Sequence, residues 1–243
     1  DVYKRQGLYY KVMLANNLSQ LGIDAGQLDD GFDTFSGNVW WTTNDFGRVA
    51  PFGDYEKHEK IATMVGVGFT RSNETRQSQA GTEDPENSQI RLSDGTVIFR
   101  RGALAEGVQI DAAKYEMTAI TGSAKYNGFS IDGEYYFRWV SKLEADGELP
   151  VDDLFDHGFK LQTSAMVVDK TLQWYGFGSK IFGEYGDPWE LGSGLNWFVF
   201  KNRIFRFNLE YLYVENSPVG YLSYPTQVGA NGTVFMLNAE YRF

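Results

Sequence analysis

Residues 233–243 of this 243-residue chain, TVFMLNAEYRF, decide its fold. From Phe235 onward the odd positions are apolar or aromatic, and from Asn238 onward the even positions are polar or charged. Alternation with a period of two is typical of a β-strand with one apolar and one polar face. About eleven residues are also enough for a strand to cross a bilayer at a tilt of roughly 45°. The stretch therefore predicts a membrane-spanning strand.

The same alternation recurs along the chain and predicts ten strands. They are 8–15, 35–44, 60–71, 114–126, 129–140, 159–167, 171–182, 189–200, 204–214 and 233–243. Short connections at 126–128, 168–170 and 201–203 alternate with long ones near 18–34, 72–113, 143–158, 183–189 and 215–232. This pattern is typical of outer-membrane barrels, whose short turns face the periplasm. The predicted fold is an all-β transmembrane antiparallel β-barrel, although the connection at 45–59 is long for a periplasmic turn.

Aromatic residues are placed as two interfacial girdles would require. On one face of 129–140, Phe129 lies at one end and Tyr135, Phe137 and Trp139 lie toward the other, with Ile131 between them. Aromatic rings collect at both membrane interfaces around an aliphatic waist. A soluble β-sandwich also alternates, but its strands average five or six residues. The sandwich is the third interpretation of the fold.

Composition argues against an enzyme. The sequence has no cysteine and no nucleophile-elbow motif. Its two histidines are not spaced as the paired ligands of a metal site would be. His58 is expected on a turn and His157 just before a strand, so that no strand presents a histidine. No catalytic residue, metal site, cofactor or nucleic-acid partner is predicted. Mean hydropathy is −0.37, as expected where only alternate residues meet lipid.

Charge is divided unevenly between loops and strands. The loops 18–34, 74–112, 144–156 and 184–190 hold 20 of the 32 acids and four of the 22 bases, so they carry −16 and the remainder +6. The loop acids are interpreted as extracellular decoration. Six strand bases are candidate pore-lining residues: Lys11, Lys125, Arg138, Lys160, Lys180 and Arg206. They either attract anions in a narrow pore or form cross-strand ion pairs with Asp132, Glu134, Glu210 and Glu240 that brace the wall.

The long loop at 72–113 is predicted to contain a hairpin. Its Asp94-Gly95 pair lies between two short apolar runs, which is a hairpin signal. Folded into the lumen, this loop would present Arg91, Arg100 and Arg101 as constriction residues. Alternatively, the hairpin stands outward and contacts a neighbour or the cell surface.

The first six residues, DVYKRQ, lack the apolar core of a signal peptide and are predicted to be a non-native leader. Residues 7–243 are then expected to be the C-terminal part of a single barrel domain.

Several blocks resemble the phosphate-selective porin O and P family. They are GDYEKHEK at 53–60, PENSQIRLSDG at 85–95, LFDHGF at 154–159, KIFGEYGDPW at 180–189, GLNW at 194–197 and NSPVGY at 216–221. The resemblance implies a trimeric channel of about sixteen strands in a Gram-negative-type outer membrane, of which this chain holds about the last ten. It also implies passive passage of phosphate, polyphosphate or other small anions.

The final strand resembles the closing strand of such barrels, which implies that Tyr241 and Phe243 form a signal for the outer-membrane assembly machinery. Two other functions stay open. One is a structural or surface-binding barrel with a plugged lumen, and the other is a soluble binding module.

Overall fold

A computed structural model describes residues 2–5, 7–18, 31–46, 53–77, 85, 90–218 and 228–241. It contains one antiparallel sheet of eleven strands, each paired with its neighbours in chain order. The strands are β1 (Val2–Arg5), β2 (Leu8–Ala15), β3 (Thr34–Thr42), β4 (Ala62–Thr75), β5 (Ile110–Tyr126), β6 (Phe129–Ala145), β7 (Leu154–Val168), β8 (Leu172–Phe182), β9 (Trp189–Phe198), β10 (Phe205–Glu215) and β11 (Gly232–Tyr241). Within the described residues, no pairing joins β1 to β11. The same residues include no helix that is long and apolar enough to cross a membrane.

The all-β prediction is confirmed, and β2–β11 correspond to the ten predicted strands. Several are longer than predicted, because β5 begins at Ile110 and β7 at Leu154. The additional strand β1 lies within the predicted leader and pairs with β2 from Val2↔Lys11 to Arg5↔Leu8. At the other end β11 stops at Tyr241, and Phe243 lies outside the described residues.

The sheet has an apolar face that nothing covers in the described part of the chain. Directly opposed residues of antiparallel strands share a face, and the rows Leu191–Tyr213 and Leu195–Leu209–Leu237 are examples. Every strand from β2 to β11 contributes large apolar side chains that are more than a third exposed, including Val12, Val39, Val67, Ile120, Ile131, Leu161, Trp174, Leu195, Leu209 and Leu237. All eleven strands belong to a single sheet, so the two packed sheets of a sandwich are not the observed architecture.

The two ends of the sheet differ. The connections 127–128, 169–171 and 199–204 are short and lie at one end, here named the short-connection end; the other is the long-loop end. On the apolar face of β6, Phe129 lies at the short-connection end, and Tyr135 and Trp139 lie in the middle of the strand, which continues to Ala145. The strand is longer than predicted, so these two rings do not mark its long-loop end.

The opposite, polar face is partly covered by two segments. The described parts of 43–61 (43–46 and 53–61), here named the turn-side segment, lie at the short-connection end. Residues 90–99, here named the loop hairpin, lie at the long-loop end. The main buried apolar cluster joins this hairpin to the sheet and consists of Ile90, Leu92, Val97, Ile98, Phe99, Ile110, Ala113, Val140 and Leu154.

Candidate functional site on the polar face

A hydrogen-bonded row of polar side chains crosses β6 to β10. The Ser130 and Ser164 hydroxyls are 2.9 Å apart, and Gln173 donates to Ser164 Oγ at 3.1 Å. Asn196 in turn donates to Gln173 Oε1 at 3.1 Å, and Asn208 donates to Asn196 Oδ1 at 3.1 Å. These side chains share one face because each lies at an alternate position in register with the next strand. The row is a surface that can exchange hydrogen bonds with water or a polar solute.

Tyr175 adds a hydroxyl to this row. Its Oη donates to Glu210 Oε2 at 2.6 Å and accepts from Asn208 at 2.7 Å, although both partners lie two strands away on β10. Gly194 on the intervening β9 makes this reach possible, since the Tyr175 ring lies directly over its Cα. A cavity of about 420 Å³ lies against these residues, with Lys160, Gln162 and Arg206 also in its lining.

Two predicted pore-lining bases are neutralised by cross-strand carboxylates. The Arg138 guanidinium pairs with Asp156, with Nε at 3.0 Å from Oδ2. Arg206 Nε donates to Glu240 Oε2 at 2.8 Å. Both pairs are directly opposed in the sheet. At these positions the bracing alternative describes the geometry better than an open anion site.

Two other predicted bases are not free on the polar face. Lys125 is 2% exposed, and its ammonium donates to the Phe46 carbonyl at 3.1 Å and lies 4.4 Å from the centre of the Phe46 ring. Lys180 is in register with Phe159, so it lies on the apolar face. The prediction that Lys180 lines the pore is wrong, because Ser179 and not Lys180 is in register with Lys160. Lys11 and Lys160 are on the polar face and make no ion pair with any described residue.

Acids outnumber bases on the polar face. Across β2–β11, the strand registers place five bases there, namely Lys11, Lys125, Arg138, Lys160 and Arg206. They place seven acids there, namely Glu74, Asp132, Glu134, Asp156, Glu190, Glu210 and Glu240. The sequence partition assigned Glu74, Asp156 and Glu190 to loops, and moving them to the strands lowers its remainder from +6 to +3. Other bases counted in that remainder lie off the polar face, among them Arg71, Lys114 and Lys180. The strands are longer than predicted, so that remainder does not describe the charge of the polar face.

The predicted hairpin in the long loop is confirmed. Leu92 N donates to Thr96 O at 2.8 Å, Ile98 N donates to Ile90 O at 3.1 Å, and Gly95 has φ +90°. Its apolar side packs on Val140 and Leu154, which share the polar face of β6 and β7 with Arg138 and Asp156. The hairpin therefore lies over the polar face rather than standing away from the sheet.

The loop hairpin also contacts the β8–β9 and β10–β11 connections, which are several strands away from β6 in the sheet. Tyr185 N donates to Ser93 Oγ at 3.0 Å, and the Cα of Gly95 faces Pro218 and Val228 in the β10–β11 connection. It thus extends across the polar face from β6 toward β10 at the long-loop end.

The three arginine candidates of the long loop lie in different places. Arg91 donates to the Gly95 carbonyl at 2.9 Å within the hairpin. Arg101 is exposed and pairs with Asp146 at 3.2 Å, and a backbone hydrogen bond from Gln109 holds the pKa of that aspartate below its ordinary value. Arg100 is exposed. They do not form one cluster, and their role in a constriction stays a prediction.

The turn-side segment is organised around Asp54, which is fully buried. Its carboxylate accepts from Gly128 N at 2.7 Å, from His58 N at 3.0 Å and from His58 Nδ1 at 2.5 Å. Burial lowers the pKa of His58, but the hydrogen bonds to Asp54 and to the Asp45 carbonyl outweigh it, and the pKa is raised above 6.5. The segment is also tied to the short connections by Arg203–Glu56 at 2.9 Å and Lys57–Asp169 at 3.4 Å. Sequence reasoning missed this role because it treated 45–59 only as an unusually long periplasmic turn.

The prediction that no strand presents a histidine is wrong. His157 lies on β7, in register with Phe137 and Phe182 on the apolar face. Its Nδ1 lies 2.6 Å from Tyr135 Oη, and its ring stacks on Phe182 at 5.0 Å. The strand starts at Leu154, so the residues before Phe159 that were interpreted as loop already alternate between the faces.

Comparisons with protein-family models, with curated proteins and with solved structures found no match for this chain.

Proposed function

We propose that this chain forms the wall of a passive diffusion channel in an outer membrane, open to small hydrophilic solutes. The observation that carries the proposal is the division of one sheet into an exposed apolar face and a hydrogen-bonded polar face. Lipid requires apolar side chains on the outside of a membrane barrel, and a water-filled lumen requires polar ones on the inside. Solutes would cross without chemistry, sorted by the width and charge of the lumen.

The charges on the polar face favour a weak selectivity for cations over anions. Once Arg138–Asp156 and Arg206–Glu240 are set aside as ion pairs, three bases and five acids remain on that face. Lys125 is one of these bases and is buried. The preference for phosphate that the family resemblance implies would then rest on Lys11 and Lys160.

The zero-current potential across a planar bilayer under a salt gradient tests this function. We expect conductance with a small potential of cation-selective sign and no block by phosphate. An anion-selective potential, with conductance reduced by phosphate, would instead support the substrate class that the resemblance implies.

Glu134 and Lys160 provide a matched pair of variants, because they are directly opposed on β6 and β7. Glu134→Gln should move the potential toward anion selectivity, and Lys160→Gln should move it toward cation selectivity by a similar amount. If both variants leave the potential unchanged, this part of the polar face does not line the conducting path.

The packing of two segments on the polar face favours one second candidate, a structural barrel with a plugged lumen. The turn-side segment seals Lys125 at one end, and the loop hairpin covers Val140 at the other. Verified insertion without conductance would support this candidate and contradict the channel.

A further inference from the structure

A groove of about 690 Å³ runs along the apolar face between β7 and β10. Its floor is β8, where Gly176 and Gly178 fall at alternate positions and present no side chain. Leu161 on one side and Leu191 on the other form its walls. Gly122 and Gly133 also lie on this face, but Gly176 and Gly178 are two alternate positions of one strand, with Leu161 and Leu191 on either side of them.

Gly176 and Gly178 are expected to lower the stability of β8, so their presence calls for a functional explanation. Glycine in a strand interior weakens the strand, and it often marks a place where a ligand or another chain approaches closely. An added Cβ at Gly178 would lie 3.2 Å from the Glu190 carbonyl oxygen and 3.4 Å from Leu191 Cδ1, so a side chain there would require these neighbours to shift. At Gly176 an added Cβ would lie 3.2 Å from the Trp174 ring, so the open part of the floor is at Gly178.

The groove is long enough and apolar enough to hold one acyl chain of a lipid. Trp174 borders it near the short-connection end, and Lys180 and Trp189 border it near the long-loop end. From Trp174 to Lys180 the strand advances six residues, about 20 Å at roughly 3.3 Å per residue. The hydrocarbon of one membrane leaflet is about 15 Å deep. One acyl chain can lie along the floor with its headgroup at the level of Lys180.

Lys180 is the one base in the lining of the groove and lies at its long-loop end, whereas the uncharged hydroxyls of Thr163 and Ser193 lie beside Gly176. The Lys180 ammonium lies 4.7 Å from the centre of the Phe182 ring, and the His157 ring stacks on the same phenylalanine at 5.0 Å. Lys180 makes no ion pair in the described part of the chain. Glu215 lies in the same row, two strands away across Trp189, and accepts a hydrogen bond from Tyr213. A lysine facing lipid is tolerated near an interface, where its ammonium can reach the headgroups. The groove thus combines an apolar channel with a cation at its mouth.

We propose that this groove binds one membrane lipid with an anionic phosphate headgroup, its acyl chain beside Trp174 and over Gly178 and its phosphate at Lys180. The inference rests on the proposed membrane location of the apolar face. Charge complementarity favours this occupant, because a lipid without an anionic headgroup would leave the Lys180 ammonium without a counter-charge.

Fluorescence quenching of tryptophan in vesicles tests the site, since Trp174 and Trp189 border the groove. This chain, linked to further strands that can pair with its two edges, is inserted into phosphatidylcholine vesicles that contain increasing fractions of brominated phosphatidylglycerol or brominated phosphatidylcholine. Insertion is verified separately by flotation and by heat-modifiable migration. We expect the anionic lipid to reach half-maximal quenching at an about fivefold lower mole fraction, as expected for one lysine near a membrane surface.

Two variants and two matched controls isolate the groove. Lys180→Gln should abolish the fivefold preference, whereas Lys114→Gln should keep it, because Lys114 is on the same face but pairs with Glu116 at 2.7 Å. Gly178→Leu should fill the groove and reduce quenching by both lipids. Gly122→Leu is its control, since Gly122 is on the same face and no other group lies within 4 Å of its Cβ position.

Three results would overturn the lipid site while leaving the channel intact. One is equal quenching by the two lipids in inserted wild-type protein, and another is an unchanged preference in Lys180→Gln. The third is a loss of oligomers in Gly178→Leu without any lipid preference in the wild type, which would assign the groove to a second copy of the chain. Failure to insert at all would instead contradict the proposed function.

Discussion

At the residue scale, the reach of Tyr175 across β9 depends on a single glycine. An added Cβ at Gly194 would collide with the Tyr175 hydroxyl and lie 2.7 Å from the Leu209 carbonyl oxygen. We therefore expect Gly194→Ala to displace the ring and break its hydrogen bonds to Glu210 and Asn208. One bond to a charged group and one to a neutral group together contribute about 2–4 kcal/mol. The free energy of unfolding in urea, measured in detergent micelles, should fall by that amount.

Gly122→Ala is the control for this prediction, because the Cβ position of Gly122 is open. Tyr175→Phe keeps the ring and removes both hydrogen bonds, so it should account for most of the loss in Gly194→Ala. If Gly194→Ala is as stable as Gly122→Ala, then the tyrosine does not depend on the glycine.

His58 makes the turn-side segment sensitive to pH. Its pKa is raised in the folded chain above the ordinary value of 6.5, so folding favours the protonated ring. The stabilisation is fully present below about pH 6.5 and is lost as the pH rises through the raised pKa. We expect hydrogen exchange at 53–60 to accelerate as the pH passes from neutral to mildly alkaline values, after correction for the intrinsic exchange rate.

The titration of His58 can be followed by NMR, with His157→Gln used to assign its signal. In His58→Gln, the corrected exchange at 53–60 should become independent of pH over the same range. A midpoint for His58 at or below 6.5 would contradict this mechanism.

At the element scale, the loop hairpin is held by its apolar side chains. Phe99 is fully buried against the cluster that includes Val140 and Leu154. Replacing a buried phenylalanine by alanine costs about 3–5 kcal/mol. Phe99→Ala should therefore release the hairpin from the polar face and, in the channel interpretation, increase single-channel conductance.

Phe200→Ala is the matched control, because Phe200 is 66% exposed in a short connection. Limited proteolysis at 90–99 reports whether the hairpin has been released. If Phe99→Ala becomes sensitive to protease but conducts like the wild type, the hairpin does not narrow the path.

Strand β8 shows where sequence prediction succeeds and where it fails. Alternation and turn residues were sufficient to locate the strand, but not to determine the face on which Lys180 lies. Aromatic residues occupy both faces of β8, at Trp174 and Tyr175, so the alternation of residue types does not indicate which positions face the apolar side. Only pairing with β7, which places Phe159 opposite Lys180, settles the orientation.

The neighbouring strands β6 and β10 alternate strictly, and they placed Arg138 and Arg206 on the polar face correctly. Their partners could not be predicted in the same way. Asp156 is 18 residues from Arg138 and Glu240 is 34 from Arg206 along the chain, so each pair depends on the register between strands. The cover of Lys125 by Phe46 depends on a contact across 79 residues, and no local pattern signals it.

At the scale of the whole molecule, the two edge strands decide whether the sheet can enter lipid. Among the described residues, β1 has only β2 as a neighbouring strand and β11 only β10, so each has one edge without a partner strand in that part of the chain. Unpaired N–H and C=O groups cost several kcal/mol each in a bilayer core, where water cannot satisfy them. The sheet must therefore gain a partner along both edges before its apolar face can be placed in a membrane.

We expect residues 7–243 alone to insert poorly into vesicles, with little heat-modifiable migration. The same residues linked to further strands that can pair with both edges should insert cleanly. Flotation with vesicles and migration before and after heating measure the difference. Clean insertion of residues 7–243 alone would mean that this sheet closes on itself or pairs with a second copy. In that case the expectation of about sixteen strands, which rests on the family resemblance, would be wrong for this chain.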